Sequence, residues 1–186
     1  STYDIDRSQA HVGWQGRFEG WRGRVQAYRS EIDIVNSASN GVTATRPQNL
    51  LDEVIDGHAT VKLGGHQVTF GGEWRDETLT NAGLTTGRDS ATHKALFVQD
   101  EVALGSSLML TGGLRADNHE LFGSEVSPRA YLVWEASPAL VVKGGFGHAF
   151  KAPTLKQISP NYVGAEGPHT FKGNAHVKPE SSNSFE

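Results

Sequence analysis

Residues 108–117 read Leu-Met-Leu-Thr-Gly-Gly-Leu-Arg-Ala-Asp, and the spacing within that stretch decides the fold. Leu108, Leu110, Gly112, Leu114 and Ala116 share one face of a period-two chain. Met109, Thr111, Gly113, Arg115 and Asp117 share the other. Side chains of a β-strand point alternately to opposite faces, so this is a strand between an apolar and a polar environment. Working outward, the pattern recurs. Ala130, Leu132 and Trp134 oppose Arg129, Tyr131 and Glu135, with Val133 as the exception. Leu140, Val142, Gly144 and Phe146 oppose Val141, Lys143, Gly145 and Gly147. Upstream, Ala59, Val61 and Leu63 alternate with His58, Thr60 and Lys62. Val68, Phe70, Gly72 and Trp74 alternate with Gln67, Thr69, Gly71, Glu73 and Arg75.

The connections alternate in length. Short turns are expected at Glu19-Gly20, Gly64-Gly65, Gly105-Ser106-Ser107 and Ser137-Pro138, all of residue types that turns favour. Between them lie polar stretches read as long loops, at about 36–49, 76–92, 118–125 and 152–181. An up-and-down antiparallel sheet with one compact and one elaborated rim has this asymmetry, as membrane-spanning barrels do. The runs Leu108–Asn118 and Leu140–Phe150 each match the roughly 9–11 residues that a tilted strand needs to cross a bilayer. Trp14, Phe18 and Trp21 flank the first short turn, Trp134 precedes the fourth, and Phe150 ends its strand, as interfacial aromatic girdles would.

Two segments need separate treatment. In 22–34 the apolar phase moves from Gly23, Val25 and Ala27 to Tyr28, Ile32 and Ile34. Either a bulge flips the register, or the strand leaves the membrane and continues above it; the second is preferred. Thr154–Ile158, following Pro153, is expected to be a short helix inside the longest loop. About nine strands are expected in all, the last beginning at Ser182.

Composition narrows the function classes. The 186 residues include no cysteine, which removes any disulfide framework and any Cys-ligated metal site. A formal charge of −4 with mixed signs leaves no electrostatic footprint for nucleic acid. The mean hydropathy of −0.43 and the lack of any long apolar run exclude a transmembrane helix but not a barrel, where only alternate residues meet lipid. No Ser/His/Asp, paired-carboxylate or phosphate-loop arrangement is visible, so no enzyme is expected, nor any cofactor. The eight histidines form no HExxH or His-x-His pair, and no metal site is expected.

From Leu96 the chain reads LFVQDEVALGSSLMLTGGLRADNHELFGSEVSPRAYLVW, from Gly144 GGFGHAFKAPTLKQISPNYVG, and from Gly173 GNAHVKPESSNSFE. Gln99-Asp100-Glu101, Gly113-Leu114-Arg115, Ser127-Pro128-Arg129, Phe150-Lys151-Ala152-Pro153 and Lys178-Pro179-Glu180 occur in an order that resembles the β-barrel of TonB-dependent outer-membrane receptors. The resemblance is strongest over Leu96–Glu186, and FKAPTLKQISPNYVG is most similar to siderophore receptors of the catecholate and colicin I type. It implies an all-β, antiparallel up-and-down transmembrane barrel of about 22 strands. Residues 1–186 would form a partial barrel domain of it, with no plug domain or TonB box recognisable in this sequence. It further implies a place in the outer membrane of a Gram-negative bacterium, contact with its lipid, ferric siderophore as ligand, and TonB as partner through a plug.

Ferric siderophores are typically anionic and aromatic, so cations and stacking rings near the outer mouth are the candidates for binding them. Arg88, Lys94, Arg115, Lys151, Lys156, Tyr162, His169, Phe171 and Lys172 are expected there. Two other readings remain open: a passive porin of similar strand pattern, and a soluble secreted β-sandwich that binds carbohydrate.

Overall fold

The computed structural model describes residues 2–37, 47–166 and 169–186. The stretch at Leu108 is strand β6 (Leu108–His119) of a nine-stranded antiparallel sheet. The strands before it are β1 (Thr2–Phe18), β2 (Trp21–Ser37), β3 (Gln48–Leu63), β4 (His66–Asn81) and β5 (Arg88–Ala103). After it come β7 (Gly123–Ser137) and β8 (Leu140–Lys151), then a connection carrying helix α1 (Leu155–Ile158) and the small hairpin β9 (Val163–Glu166) and β10 (His169–Lys172). The ninth sheet strand, β11 (Glu180–Phe185), pairs with β8. Strand order follows the chain throughout, as the alternation predicts for an up-and-down topology.

Every sheet connection on one rim is short: Glu19-Gly20, Gly64-Gly65, residues 104–107 and Pro138-Ala139. Gly20, Gly64 and Gly105 take φ of +78°, +62° and +84°, the left-handed region that a side chain disfavours. On the opposite rim two of the expected long loops shrink. The stretch 76–92 is mostly strand, with β4 running to Asn81 and β5 resuming at Arg88, and 118–125 is a turn between His119 and Gly123. The cause is chemical. Above a bilayer a strand can be polar on both faces, so its composition no longer separates it from a loop. Most of the expected loop 36–49 lies outside the described residues. The expected helix forms, with Thr154 as its N-cap in a capping box with Gln157.

Register settles the two faces, since residues paired across neighbouring strands point to the same side. Leu114 pairs with Val98 and Pro128, and Val98 with Phe70. Leu110 pairs with Val102 and Leu132, and Val25 with Trp14. The apolar side is a belt across the sheet, interrupted toward the short-turn rim by Asp100 and His66, 2.6 Å apart, and no second layer of protein covers it among the described residues. Leu114, Leu132 and Val142 remain 53%, 40% and 45% exposed. A sandwich would bury this face, so the soluble reading is set aside. Phe18 and Trp21 stack with centroids 4.4 Å apart at the short-turn rim, and Trp134 pairs there with Leu108.

The β1–β2 register runs from Phe18↔Trp21 to Thr2↔Ser37 without a bulge. The apolar phase change near Tyr28 is therefore the strand leaving the belt, as expected. Above that level Leu50 and Leu79, partners in register, turn apolar residues to the otherwise polar face. There they meet the β8–β11 connection. Leu79, Leu84, Ala91, Leu155 and Tyr162 form a buried cluster against which Leu50, Ile158 and Phe171 pack.

Candidate ligand-facing site on the polar wall

The polar face carries side chains held by one another. Arg75, in β4, donates from Nε and Nη2 to Asp52 Oδ1 at 3.0 and 2.8 Å, and its Nη2 lies 3.9 Å from Glu77 Oε2. Two strands away, Arg115 Nε donates to both Asp117 oxygens at 2.9 and 3.1 Å. His93 Nε2 lies 2.9 Å from the same Asp117 Oδ1, while its Nδ1 faces Glu73 Oε1 at 3.8 Å. Glu73 also stands 3.9 Å from Arg115 Nη2. Lower on the wall Gln26 bonds Asp56 at 2.7 Å, and Arg129 reaches Gln99. Strand alternation explains why these residues converge: each has polar-face parity, and the register brings β3 to β6 side by side.

The β8–β11 connection roofs the upper part of this face. Tyr162 Oη donates to Gln48 Oε1 at 2.6 Å, Ser159 Oγ to Asp89 at 2.5 Å, and Asn161 Nδ2 to Thr85 at 2.8 Å. Burial holds the Lys156 ammonium below the usual lysine range, opposed by the nearby Glu77 carboxylate. Burial also pushes the Tyr162 phenol above its ordinary value.

The structure divides the residues expected at the mouth. Tyr162 and Phe171 pack together, α1 lies over β4 and β5, and Lys156 of α1 stands near Glu77 of β4. His169 and Lys172 belong to the same small hairpin as Phe171 and are exposed. Lys151 ends β8 and is exposed. Three expectations need correction. Arg115 is not in a loop: it lies within β6, paired with Ser127, and belongs to the wall cluster. Tyr162 offers no open stacking face, because the residue is 1% exposed and its ring packs against Phe171 with centroids 5.6 Å apart. Arg88 and Lys94 have apolar-face parity, paired with Thr80 and Trp74, so they point away from the mouth; Arg88 bonds Thr78 at 3.1 Å. The wall residues Asp52, Glu73, Arg75, His93 and Asp117 were absent from the sequence-based candidates, although the period-two parity around Glu73 and Arg75 already carried the signal.

The comparisons with known proteins agree with this architecture. The whole chain, residues 1–186, matches the family described as TonB dependent receptor-like, beta-barrel. The chain belongs to that family. It is 34% identical over 142 residues to the iron-regulated outer membrane virulence protein of Vibrio cholerae, covering 74% of this chain and 22% of that protein. It is 35% identical over 115 residues to the ferric enterobactin receptor PirA of Pseudomonas aeruginosa, covering 52% of this chain and 16% of that protein. The crystal structure of the siderophore receptor PirA from the same organism superposes with a TM-score of 0.86 at 27% identity, over 98% of this chain and 35% of that one. The chain thus spans about a fifth of the length of the curated relatives it matches. Its sheet is a section of an outer-membrane barrel, not closed by these strands alone, with the apolar belt toward lipid and the polar wall toward the interior.

Proposed function

We propose that this chain supplies wall and mouth to an outer-membrane receptor that imports ferric siderophores, energised through TonB acting on a plug domain of the complete protein. The observation that carries the reading is the roofed polar wall. Arg75, Arg115 and His93 stand on the inner face, and the β8–β11 connection lays Lys156 and Phe171 over its upper end. An anionic, aromatic iron complex needs such cations and ring faces, converging from wall and roof. Lys151 and Lys172 extend the cationic rim outward, with the His169 imidazole on the same hairpin as Lys172. Arg115 acts as a wall contact and Tyr162 as the residue that seats the roof. A passive porin gains nothing from a mouth covered in this way. The relatives named above support the siderophore class, and none of the chemistry requires an enzyme or a bound cofactor.

Uptake of ⁵⁵Fe-labelled ferric catecholate by cells with and without the complete receptor, in TonB-positive and TonB-deficient strains, tests the reading. The expected result is accumulation that needs both. Accumulation surviving loss of TonB would establish passive passage, and uptake of labelled cobalamin in place of iron would replace the substrate.

A further inference from the structure

The arginines of the polar wall are not compensated alike. Toward the mouth Arg75 is answered by Asp52 and Arg115 by Asp117. Arg129 is met only by the Gln99 amide, and Arg24 by Gln26, whose own amide donates to Asp56 at 2.7 Å. At the short-turn rim the compensation ends. Arg22 follows the first residue of β2, Lys62 precedes the last of β3, and Arg17 precedes the last of β1. All three have polar-face parity, and among the described residues none has a hydrogen-bond or ion-pair partner for its side chain. Arg17 and Arg22 are direct partners in register, an opposition of like charges that costs a sheet stability. Glu19, in the turn between them, bonds neither. Glu101 shares the row of Lys62 but stands two strands away, engaged by Gln67 at 3.3 Å and Gln99 at 2.8 Å. The three cations border a recess of about 370 Å³, with Thr60 and Gln67 beside them.

We propose that Arg22 and Lys62, with Arg17, form an exit station that holds the anionic ferric siderophore on its way from the mouth to the periplasm. The inference rests on the reading of the cargo given above. Short turns mark the periplasmic rim of an outer-membrane barrel, so the recess lies where cargo leaves. Guanidinium and ammonium groups donate charge-assisted hydrogen bonds to anionic oxygens such as those of a catecholate. Arg75 and Arg115 must exchange a carboxylate for the ligand, whereas the rim cations have none to release. An anion inside the wall is therefore drawn downward. The same free anion site gives the opposed Arg17 and Arg22 a purpose that wall stability does not.

The full-length receptor carrying Arg22→Gln with Lys62→Gln, assayed with ⁵⁵Fe-labelled ferric catecholate, tests this. Surface binding to TonB-deficient cells should match the wild type. In TonB-positive cells the maximal uptake rate should fall about tenfold with KM unchanged. Arg22→Lys with Lys62→Arg should keep most of the wild-type rate, since charge is what the station supplies. Because Arg22 opposes Arg17, its loss should leave the barrel at least as heat-stable, as judged by heat-modifiable migration on a gel. An unchanged maximal rate in the glutamine variant overturns the station. A rate lowered equally in the charge-conserving variant, lost surface binding or a less heat-stable barrel overturns it too, making these residues structural. New sensitivity to vancomycin would assign the cations to seating a plug, and also overturns it. A wild type that never accumulates ferric catecholate removes the cargo reading and the station together. A wild type that does so, beside an unaffected variant, removes the station alone.

Discussion

Tyr162 and Gln48 are joined by a 2.6 Å hydrogen bond across 114 positions of chain, fixing the β8–β11 connection to the first residue of β3. The bond sits beside the buried cluster of Leu79, Leu84, Ala91 and Leu155. The roof is therefore held by packing and by three side-chain hydrogen bonds, this one together with Ser159–Asp89 and Asn161–Thr85. Removing only the hydroxyl, in Tyr162→Phe, should loosen the roof by about 1 kcal/mol, the net value of a typical hydrogen bond. Leu155→Ala should cost more, about 2–5 kcal/mol, because it opens a cavity in the cluster. Hydrogen exchange of residues 154–163 in the full-length receptor would rank the two. Equal protection in wild type and Leu155→Ala would mean that the cluster does not hold the roof.

The same tyrosine sets a pH limit. Burial raises its pKa above the ordinary value of 10.0, so folding the roof favours the neutral phenol. A group whose folded pKa is raised contributes stability that is complete below the unfolded value and is lost as pH climbs through the folded one. Roof protection should thus hold steady from neutrality to about pH 10 and fall above it, with Tyr162→Phe lacking that alkaline loss. Ultraviolet titration of tyrosinate, compared between wild type and Tyr162→Phe, isolates the late-titrating phenol. A phenol titrating at or below the ordinary value would contradict its burial.

How far the sequence reaches is clearest at two points on β4. Between His66 and Trp74 the residues alternate apolar and polar because one side meets hydrocarbon, and the strand is legible from that alone. From Asp76 to Asn81 the same strand continues with Asp76, Glu77, Thr78 and Thr80, which read as loop because water is available above the belt. Leu79 was the one available hint, and its partner is a helix more than 70 positions away, which no local period reveals. The candidate site divides along the same line. Parity alone assigns Arg115 to the polar wall and Lys94 to the lipid side. The burial of Tyr162 depends on how a distant connection folds back, and so needed coordinates.

The wall cluster around Asp117 should be strongly interdependent. This carboxylate is 6% exposed and answers both Arg115 and His93, so removing it leaves two cationic or donor groups without their acceptor. Hydrogen bonds to charged groups contribute about 1.5–3 kcal/mol each, and the loss here should be toward the upper end. Asp117→Ala should therefore lower thermal stability more than Arg115→Ala does. If Arg115 contacts ligand, Arg115→Ala should in turn reduce ferric siderophore uptake more than Asp117→Ala. Melting followed by heat-modifiable migration, measured beside ⁵⁵Fe uptake, gives both orders. The same ranking in both assays would make Arg115 a structural residue only.

Membrane placement makes the sharpest demand on single residues. Leu114 stands mid-strand on the apolar face, paired with Val98 and Pro128, whereas Thr111 stands three positions nearer the short-turn rim on the polar face, opposite Glu101 and Tyr131. An arginine on the lipid face near the bilayer midplane costs about 2–4 kcal/mol, and one on the interior face does not meet hydrocarbon. Leu114→Arg in the full-length barrel should accordingly destabilise folding into vesicles by that amount. Thr111→Arg should change it by less than about 1 kcal/mol, since its guanidinium lands beside the Glu101 carboxylate. Urea titration of tryptophan fluorescence in lipid vesicles reads both. A larger cost for Thr111→Arg would mean that the faces were assigned in reverse, and equal effects that neither meets lipid, because two strand residues of opposite parity cannot both be lipid-facing in a closed wall.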